Sequence, residues 1–395
     1  HVAAAVLTER GGMTSHAAVI GRGLGLPCVV GAASLRFQLK RRSLVAADGR
    51  LIKEGDEITI DGTNGQILAG SVDMIEATLD ETFRTFMSWA DAERDIGVRA
   101  NADTPADAKT ALHFRAQGIG LCRTEHMFFE TERLTPMREM IFAQNPQDRQ
   151  AALELVLPMQ RADFLELFQI MQGQPVCIRL FDPPLHEFLP TSRAGQRELA
   201  EALDIPVSDV TRRIESLSEY NPMLGMRGVR LGVTMPEIYE MQARAIFEAM
   251  LKAAGDEDTI VPEIMIPLVS AKREVELVKT RIDAVAAALR TESGRDFDYR
   301  LGVMVETPRA ALRAEDIAQH CEFFSFGTND LTQMTYGFSR DDAGRFIPQY
   351  LDSKLIEDDP FVSLDQRAVG RLMRMAVDES RRAKKGIKYG ICGEH

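Results

Sequence analysis

The strongest candidate for a nucleophilic residue near the start of the sequence is His16, in the segment "GGMTSHAAVIGRGLGLP", residues 11–27. Two glycines lie upstream of it, and glycine lets a backbone approach an anion closely. Thr14 and Ser15 can cap the helix that the following apolar residues predict, and a helix N-terminus offers unpaired N–H groups to a phosphoryl group. Because imidazole is a nucleophile near neutral pH and can carry phosphorus covalently, this setting favours a phosphorylated histidine.

Two other roles for His16 are weighed on the same segment. A histidine at a helix start can be a purely structural side chain, and this alternative stays open. A metal-ligand role is disfavoured because no second histidine, cysteine or carboxylate lies beside His16 at a ligand spacing.

Charged and polar side chains recur where short apolar runs end in the rest of the chain. Guanidinium groups bind phosphate or carboxylate with two parallel hydrogen bonds. Two carboxylates with an amide nearby suit Mg²⁺, and a thiol can give or take a proton. Together these groups predict a pocket for a small phosphorylated carboxylic acid, although single arginines can be structural ion pairs and single carboxylates can cap helices. The residues are Arg123, Arg179, Arg227, Glu306, Asn329, Asp330 and Cys392.

An alternation of apolar runs and helical stretches predicts the scaffold that positions these side chains. Helical patterns such as "PEIYEMQARAIFEAML" and "KREVELVKTRIDAVAAAL" separate most of the runs, and the region 130–170 predicts extra helices. This is the pattern of an α/β fold with a (β/α)8 TIM-type barrel, in which catalytic groups stand at the C-terminal ends of strands. The eight predicted strands lie in "IGVRANAD", "GIGLCRTE", "VCIRLFD", "GVRLG", "EIMIPLV", "LGVMVET", "FFSFGTND" and "KYGICGE".

Residues 1–72 are rich in glycine and other small residues, and they predict a separate small α/β domain. "VAAAVLTE" and "CVVGA" are typical of strands, "HAAVIGRGLGLP" of a short helix and "EITIDGTNGQIL" of a hairpin. Residues 73–96 predict a linking helix of about six turns, which leaves 97–395 for the barrel. Since the chain starts with His1 and stops directly after a strand-like run, we expect the first domain to be N-terminally and the barrel C-terminally truncated.

Composition narrows the classes of function. The 395 residues carry 47 Lys+Arg against 59 Asp+Glu, a net charge of −12 that argues against general nucleic-acid binding. No apolar run approaches the roughly 20 residues of a membrane span. The 5 cysteines lie far apart without a CxxC pattern, which favours a reducing cytoplasm over a disulfide-linked secreted fold.

Longer motifs resemble a known family. "GGMTSHAAVIGRGLGLPCVVG" resembles the phosphohistidine segment of the phosphoenolpyruvate-utilising enzymes. "GIGLCRTEHMFF", "RLFDPPLHEFLP", "NPMLGMRGVRLG", "VMVETPRAAL", "FFSFGTNDLTQMTYG" and "GICGEH" resemble their barrel motifs. The resemblance covers nearly the whole chain. It implies a swivelling phosphohistidine domain followed by a barrel, in a phosphotransferase that interconverts phosphoenolpyruvate and pyruvate through a phosphohistidine intermediate.

The resemblance also implies roles for individual residues. His16 would be the phosphorylated histidine, and Cys392 would be the acid that protonates the enolate. Glu306 and Asp330 would hold Mg²⁺, the implied cofactor. The residues implied in substrate binding are Arg123, Arg179, Arg227, Glu306, Gly327, Thr328, Asn329 and Asp330.

Details of the motifs favour the dikinase branch of the family. Met-Thr-Ser before His16, the run "DPPLHEFLP" and the ending "CGEH" differ from the versions typical of phosphoenolpyruvate synthase and of enzyme I of the sugar phosphotransferase system, the alternatives within the family. The dikinase branch implies ATP and phosphate as substrates of an N-terminal nucleotide-binding domain outside this chain, and a homodimer without nucleic-acid or membrane partners. A Mg²⁺-dependent oxo-acid lyase of the barrel type is the rival from another class.

Replacing His16 by asparagine tests the assignment of the nucleophile. We expect His16→Asn to abolish phosphoryl transfer from phosphoenolpyruvate, because the amide nitrogen of asparagine is not nucleophilic. Phosphoenolpyruvate binding should stay nearly intact, since the binding residues lie in the barrel. Calorimetric binding and transfer of labelled phosphate to the protein measure the two effects separately. Continued phosphate exchange by the variant would show that His16 is not the nucleophile.

Overall fold

The computed structural model describes residues 3–9, 17–18, 21, 26–72, 81–129, 131–255 and 260–395. The chain divides into two compact units, His1–Arg94 and Asp95–His395. Across the described ranges, every helix is too short or too polar to cross a membrane.

Within its described residues, the N-terminal unit contains short strands in three small sheets. A parallel pair, a three-stranded antiparallel sheet and an antiparallel hairpin follow one another along the chain. In the hairpin turn, Asp61 Oδ1 accepts the backbone N–H groups of Thr63 and Asn64 at 2.9 and 3.0 Å, and Gly65 supplies a positive φ of 66°. The strands are β1 (Val6–Leu7), β2 (Cys28–Val29), β3 (Arg36–Gln38), β4 (Ser43–Val45), β5 (Leu51–Lys53), β6 (Ile58–Asp61) and β7 (Gln66–Ala69).

The predictions for this unit are confirmed in part. The strands predicted in "VAAAVLTE" and "CVVGA" are β1 and β2, and the predicted hairpin is β6 with β7. The sheet of β3, β4 and β5 was not predicted. Most of the helix predicted in 16–27, including His16, lies outside the described residues. Of the linking helix predicted over 73–96, the structure describes α1 (Glu81–Glu93); residues 73–80 are outside the described part.

A parallel sheet organises the C-terminal unit. Its seven strands follow the order of the chain from one edge to the other, each pairing with the next in parallel. Every residue of β10, β11 and β13 is buried, which explains why these strands have near-continuous apolar sequences. The strands are β8 (Ala100–Asn101), β9 (Ile119–Arg123), β10 (Val176–Arg179), β11 (Glu263–Ile266), β12 (Arg300–Val305), β13 (Phe323–Gly327) and β14 (Lys388–Cys392).

Helices alternate with these strands, which confirms an α/β fold of the barrel type. The region 130–170 does contain the predicted extra helices, and the helices predicted from 236 and 272 are also present. The helices are α2 (Pro105–His113), α3 (Thr131–Phe142), α4 (Pro146–Ile170), α5 (Arg193–Leu203), α6 (Val207–Leu217), α7 (Val229–Thr234), α8 (Pro236–Ala254), α9 (Lys272–Ser293), α10 (Pro308–Leu312), α11 (Ala314–Ala318), α12 (Thr328–Tyr336), α13 (Arg340–Ala343), α14 (Ile347–Asp352) and α15 (Val369–Ala383).

One of the eight predicted barrel strands is wrong. The run "GVRLG" starts at Gly228 and enters helix α7 instead of the sheet. Strand β10 pairs directly with β11, with Ile178 opposite Ile264, so no further strand can hydrogen-bond between them. Gly228 has a φ of 57°, and a Cβ there would lie 2.7 Å from Leu268 Cβ, so this turn requires glycine. The described residues therefore form a seven-stranded sheet in place of the predicted eight.

Gly302 gives a test of the packing in this sheet. A Cβ at Gly302 in β12 would lie 2.3 Å from the ring of Phe323 in the neighbouring strand. We expect Gly302→Ala to lower the free energy of unfolding by about 1–3 kcal/mol, because the buried ring must shift. Urea denaturation measures the change. Gly344→Ala is the control, since nothing lies within 4 Å of a Cβ at Gly344; equal stability of the two variants would contradict the packing.

Candidate active site

The parallel sheet brings the predicted polar residues to one edge. Because all seven strands run in the same direction, their C-terminal ends lie side by side along one side of the sheet, which we call the sheet edge. Arg123, Arg179, Gly327 and Cys392 are the last residues of β9, β10, β13 and β14, and Glu306 directly follows β12. The next three residues after Gly327 are Thr328, Asn329 and Asp330, which begin α12.

Arg179 and Arg227 share one carboxylate at this edge. Arg179 donates to Glu125, and its Nη1 lies 3.0 Å from Asp182 Oδ2. Arg227 donates to both oxygens of Asp182, at 2.7 Å from Nη2 and 3.3 Å from Nε. The other terminal nitrogen of Arg227 lies 3.4 Å from Asp330 Oδ2. Asp182 therefore fixes two guanidinium groups next to each other, with one of them also facing Asp330.

The two acidic partners of Arg179 were not among the predicted residues. Asp182 is 2% and Glu125 is 6% exposed, and carboxylates this buried must be paired. Burial opposes ionisation of Asp182, but Arg179 and Arg227 outweigh it and hold the pKa of this carboxyl below its usual range. Both residues follow strand ends, in "RTEH" and "RLFD", and that position is the signal that could have found them.

Glu306 is buried and Asp330 is partly buried, and the two carboxyl groups lie close enough for their charges to interact. Burial, followed by the charges of Asp330 and Asp182, raises the pKa of Glu306 to about 8. Burial also raises the pKa of Asp330, against the opposing effect of Arg227. The backbone N–H of Leu268 donates to Glu306 Oε1 at 2.6 Å, which holds one oxygen in place.

This pair fits a divalent cation such as Mg²⁺. The donors are carboxylate oxygens, which Mg²⁺ prefers, and the negative charges of Asp330 and Asp182 act on Glu306, so a bound cation would relieve their mutual repulsion. Over the part of the chain that the structure describes, no group of three or more histidine, cysteine, aspartate or glutamate side chains is arranged around a metal position. Two protein carboxylates would leave the remaining coordination positions around Mg²⁺ to substrate and water.

The loop after β13 touches both the carboxyl pair and the end of β14. A Cβ at Gly327 would lie 2.8 Å from Glu306 Oε2, so a side chain there would displace this carboxyl. The hydroxyl of Thr328 donates to Cys392 O at 3.1 Å, and Asn329 Oδ1 accepts the N–H of Glu394 at 3.1 Å. The loop is thereby fastened to the strand end that carries Cys392.

Cys392 lies beside the charged groups with its thiol half-buried. Its Sγ lies 3.7 Å from Ser325 Oγ and 3.6 Å from the carbonyl oxygen of Phe326. Burial raises the pKa of the Cys392 thiol, with a further upward effect from Glu306 and an opposing one from Ser325. The thiol is therefore protonated at neutral pH and can act as a proton donor.

Arg123 is more loosely held than the other two arginines. Its backbone N–H donates to Asp103 Oδ1 at 2.6 Å, while its guanidinium lies 3.5 Å from Asp103 Oδ2. His126 Nδ1 lies 2.8 Å from the same Asp103 oxygen. With 34% of its side chain exposed, Arg123 is accessible at the rim of the edge.

The structure thus brings together all predicted site residues of the C-terminal unit. His16, with Thr14 and Ser15, lies outside the described residues. A cavity of about 940 Å³ elsewhere in the unit is lined by residues of α3, α4 and α6, and it includes none of the predicted site residues. The chemistry therefore points to the sheet edge and not to that cavity.

Family models match both units of the chain. The PEP-binding domain of PEP-utilising enzymes matches residues 77–395, and their mobile domain matches residues 1–65. The chain belongs to the PEP-utilising enzymes.

Curated relatives similar to the chain carry one name. It is 55% identical over its full length to the pyruvate, phosphate dikinase of Rhizobium meliloti (strain 1021). It is 50% identical over 99% of its length to that of Giardia intestinalis, and 47% identical over its full length to that of Clostridium symbiosum. The chain covers 44%, 44% and 45% of these relatives, so it spans less than half of their length.

A solved structure titled as a citrate lyase from Burkholderia xenovorans LB400 also matches, over 57% of this chain and 68% of that one. The identity is 16% and the TM-score is 0.24, so this match carries no argument about fold or function.

The raised pKa of Cys392 predicts how its alkylation depends on pH. Because the thiolate is the form that reacts, the rate of modification by iodoacetamide should rise with pH. The midpoint should lie above that of an unstructured cysteine peptide, since burial disfavours the thiolate. Mass spectrometry of the peptide that contains Cys392 measures the rate. A midpoint below that of the reference peptide would contradict the position of the thiol.

Proposed function

We propose that this chain interconverts phosphoenolpyruvate and pyruvate by moving the phosphoryl group to and from His16. The observation that carries the proposal is the pair of guanidinium groups, Arg179 and Arg227, held by Asp182 beside two crowded carboxyls. A substrate with a phosphate and a carboxylate needs this combination of cations and metal-binding oxygens. The identity to named dikinases over the whole chain supports the same substrate class.

The arginines have separate tasks in this proposal. Arg179 and Arg227 bind the phosphoryl oxygens and stabilise the charge that spreads over them during transfer. Their shared partner fixes their spacing before substrate arrives, so little reorganisation is required. Arg123, accessible at the rim, binds the other end of the substrate, and the loop of Gly327, Thr328 and Asn329 contacts it.

Glu306 and Asp330 would hold Mg²⁺. When bound, this ion supplies positive charge that favours the enolate form of pyruvate. The chain's own contribution is to orient one oxygen of Glu306 through the Leu268 N–H, and to keep space beside it by having glycine at 327.

The transfer step exchanges one bond to phosphorus for another. A nitrogen of His16 forms a bond to phosphorus as the bond from phosphorus to the enol oxygen breaks, and that oxygen keeps the electron pair. The enolate then takes the proton of the Cys392 thiol at its methylene carbon, which gives pyruvate and a thiolate. In the reverse direction the thiolate removes the proton from pyruvate.

In a protein as long as the relatives, we propose the full reaction of ATP, pyruvate and phosphate to AMP, phosphoenolpyruvate and diphosphate. The support is the name of those relatives, pyruvate, phosphate dikinase, and their greater length. The cytoplasmic location stays a prediction from the cysteine pattern, and the homodimer stays a prediction from the resemblance.

Exchange of label between pyruvate and phosphoenolpyruvate tests the proposed half-reaction. We expect the chain with Mg²⁺ to move label from pyruvate into phosphoenolpyruvate, and Arg179→Met to slow this exchange by about 100-fold or more because a preorganised cation is lost. Thermal unfolding shows whether the variant is folded.

Arg161→Met is the matched control, since it removes an ion pair with Glu248 on the helices and not at the sheet edge. Its exchange rate should stay within about twofold, as expected for a pair outside the site. Absence of exchange by the unaltered chain, or equal rates for Arg179→Met and the control, would contradict the proposal. Release of a cleaved oxo-acid without label on the protein would instead favour the lyase.

A further inference from the structure

The segment that carries Asp182 leaves the sheet and is held by side chains from helix α8. The N–H of Leu180 still donates to Met265 O, at 3.0 Å. The next residue has no strand partner: the N–H of Phe181 donates to Gln242 Oε1 at 2.8 Å, and its carbonyl accepts the hydroxyl of Tyr239 at 2.9 Å. Both backbone groups of the residue before Asp182 are thus bound by side chains.

Gln242 and Tyr239 are deeply buried and lie one turn apart on α8. Gln242 is 0% and Tyr239 is 2% exposed, and burial raises the pKa of the Tyr239 phenol so that it keeps its proton as a donor. A Cβ at Gly232 would lie 2.3 Å from the ring of Tyr239, so glycine at this position makes room for the ring. The packing around the phenol leaves the hydroxyl little freedom to move away from Phe181.

The same glutamine connects to the second loop that holds Arg179. Gln242 Nε2 donates to Gln160 Oε1 at 3.2 Å, and Gln160 Nε2 lies 3.8 Å from Met127 Sδ. Met127 belongs to the 3₁₀ turn Thr124–Phe128, which also contains Glu125, a partner of Arg179. A series of buried side-chain contacts through Gln242 and Gln160 therefore joins the two loops that carry Asp182 and Glu125. Both of these carboxylates pair with Arg179.

We propose that Gln242 and Tyr239 are positioning residues, which set the Asp182 carboxylate so that Arg179 and Arg227 are correctly spaced for the phosphoryl group. The proposal rests on the proposed function for its kinetic consequence, but the placement of Asp182 can be tested without it. The side-chain hydrogen bonds of these two residues go to Phe181 and Gln160 and not to Asp182, Arg179 or Arg227. They act through the backbone of Phe181, and an error of about 1 Å there is enough to slow a transfer reaction markedly.

Kinetics of the exchange reaction test this role. Gln242→Met keeps the size of the side chain but removes the acceptor oxygen, and Tyr239→Phe keeps the ring but removes the hydroxyl. We expect each to lower kcat about tenfold or more, with the KM for phosphoenolpyruvate changed less than kcat, because the spacing of the arginines matters most during transfer.

Tyr299→Phe is the matched control. This substitution also removes one phenol hydrogen bond, which Tyr299 donates to Asp283 at 2.6 Å. Tyr299 directly precedes β12, so this bond lies at the N-terminal ends of the strands, away from the candidate site. A loss of stability alone would affect Tyr239→Phe and Tyr299→Phe alike, so equal kcat values at matched thermal stability would overturn the proposal.

Crystal structures of Gln242→Met and Tyr239→Phe give the readout that does not depend on turnover. The distance from Arg227 Nη2 to Asp182 Oδ2, 2.7 Å in the unaltered chain, should lengthen beyond hydrogen-bonding range in at least one variant. An unchanged distance in both would overturn the proposal. If the unaltered chain shows no exchange while this distance lengthens, the proposed function fails and the positioning role stands.

Discussion

The buried ion pairs around Asp182 are the interaction on which the rest of the site depends. One carboxylate, 2% exposed, meets two guanidinium groups, and each arginine has a further carboxylate partner. Removing one member of such a cluster leaves an unpaired buried charge, which costs about 3–5 kcal/mol. Well-packed apolar residues could stabilise the same space equally well. The cluster is therefore better explained by the anion that its arginines can bind than by stability.

The parallel sheet makes this cluster possible. The C-terminal ends of its strands lie side by side, and β9, β10, β12, β13 and β14 each contribute one or more polar residues at or directly after the strand end. The backbone beyond those ends is then bound by other means, as the N–H of Leu268 is by Glu306 and that of Phe181 is by Gln242. Most of the polar groups pair with one another, but Arg179 Nε and Glu125 Oε2 are buried without a hydrogen-bond partner, so the site keeps unused polar capacity within an otherwise apolar core.

The sequence predicted the parts of the site that follow from strand ends. Arg179, Glu306 and Cys392 could be placed because each ends an apolar run, and parallel strands must bring such residues together. Asp182 and Glu125 were missed, because their role comes from pairing across loops and not from a spacing in the chain. The positioning role of Gln242 could not be predicted, since the sequence of its helix does not distinguish Gln242 from polar residues that face solvent.

The errors in the fold have similar causes. "GVRLG" has the composition of a strand, but the direct pairing of β10 with β11 leaves it no partner, and only tertiary structure shows this. The short strands β3, β4 and β5 have exposed and partly exposed residues throughout most of their length, so no strong apolar pattern marks them.

A crystal structure of this chain with phosphoenolpyruvate and Mg²⁺ would test the central claim most directly. The account predicts the phosphate of phosphoenolpyruvate in contact with the guanidinium groups of Arg179 and Arg227, and Mg²⁺ bound by Glu306 and Asp330. Phosphoenolpyruvate bound away from the carboxyl edge of the sheet, with these four side chains unengaged, would contradict it.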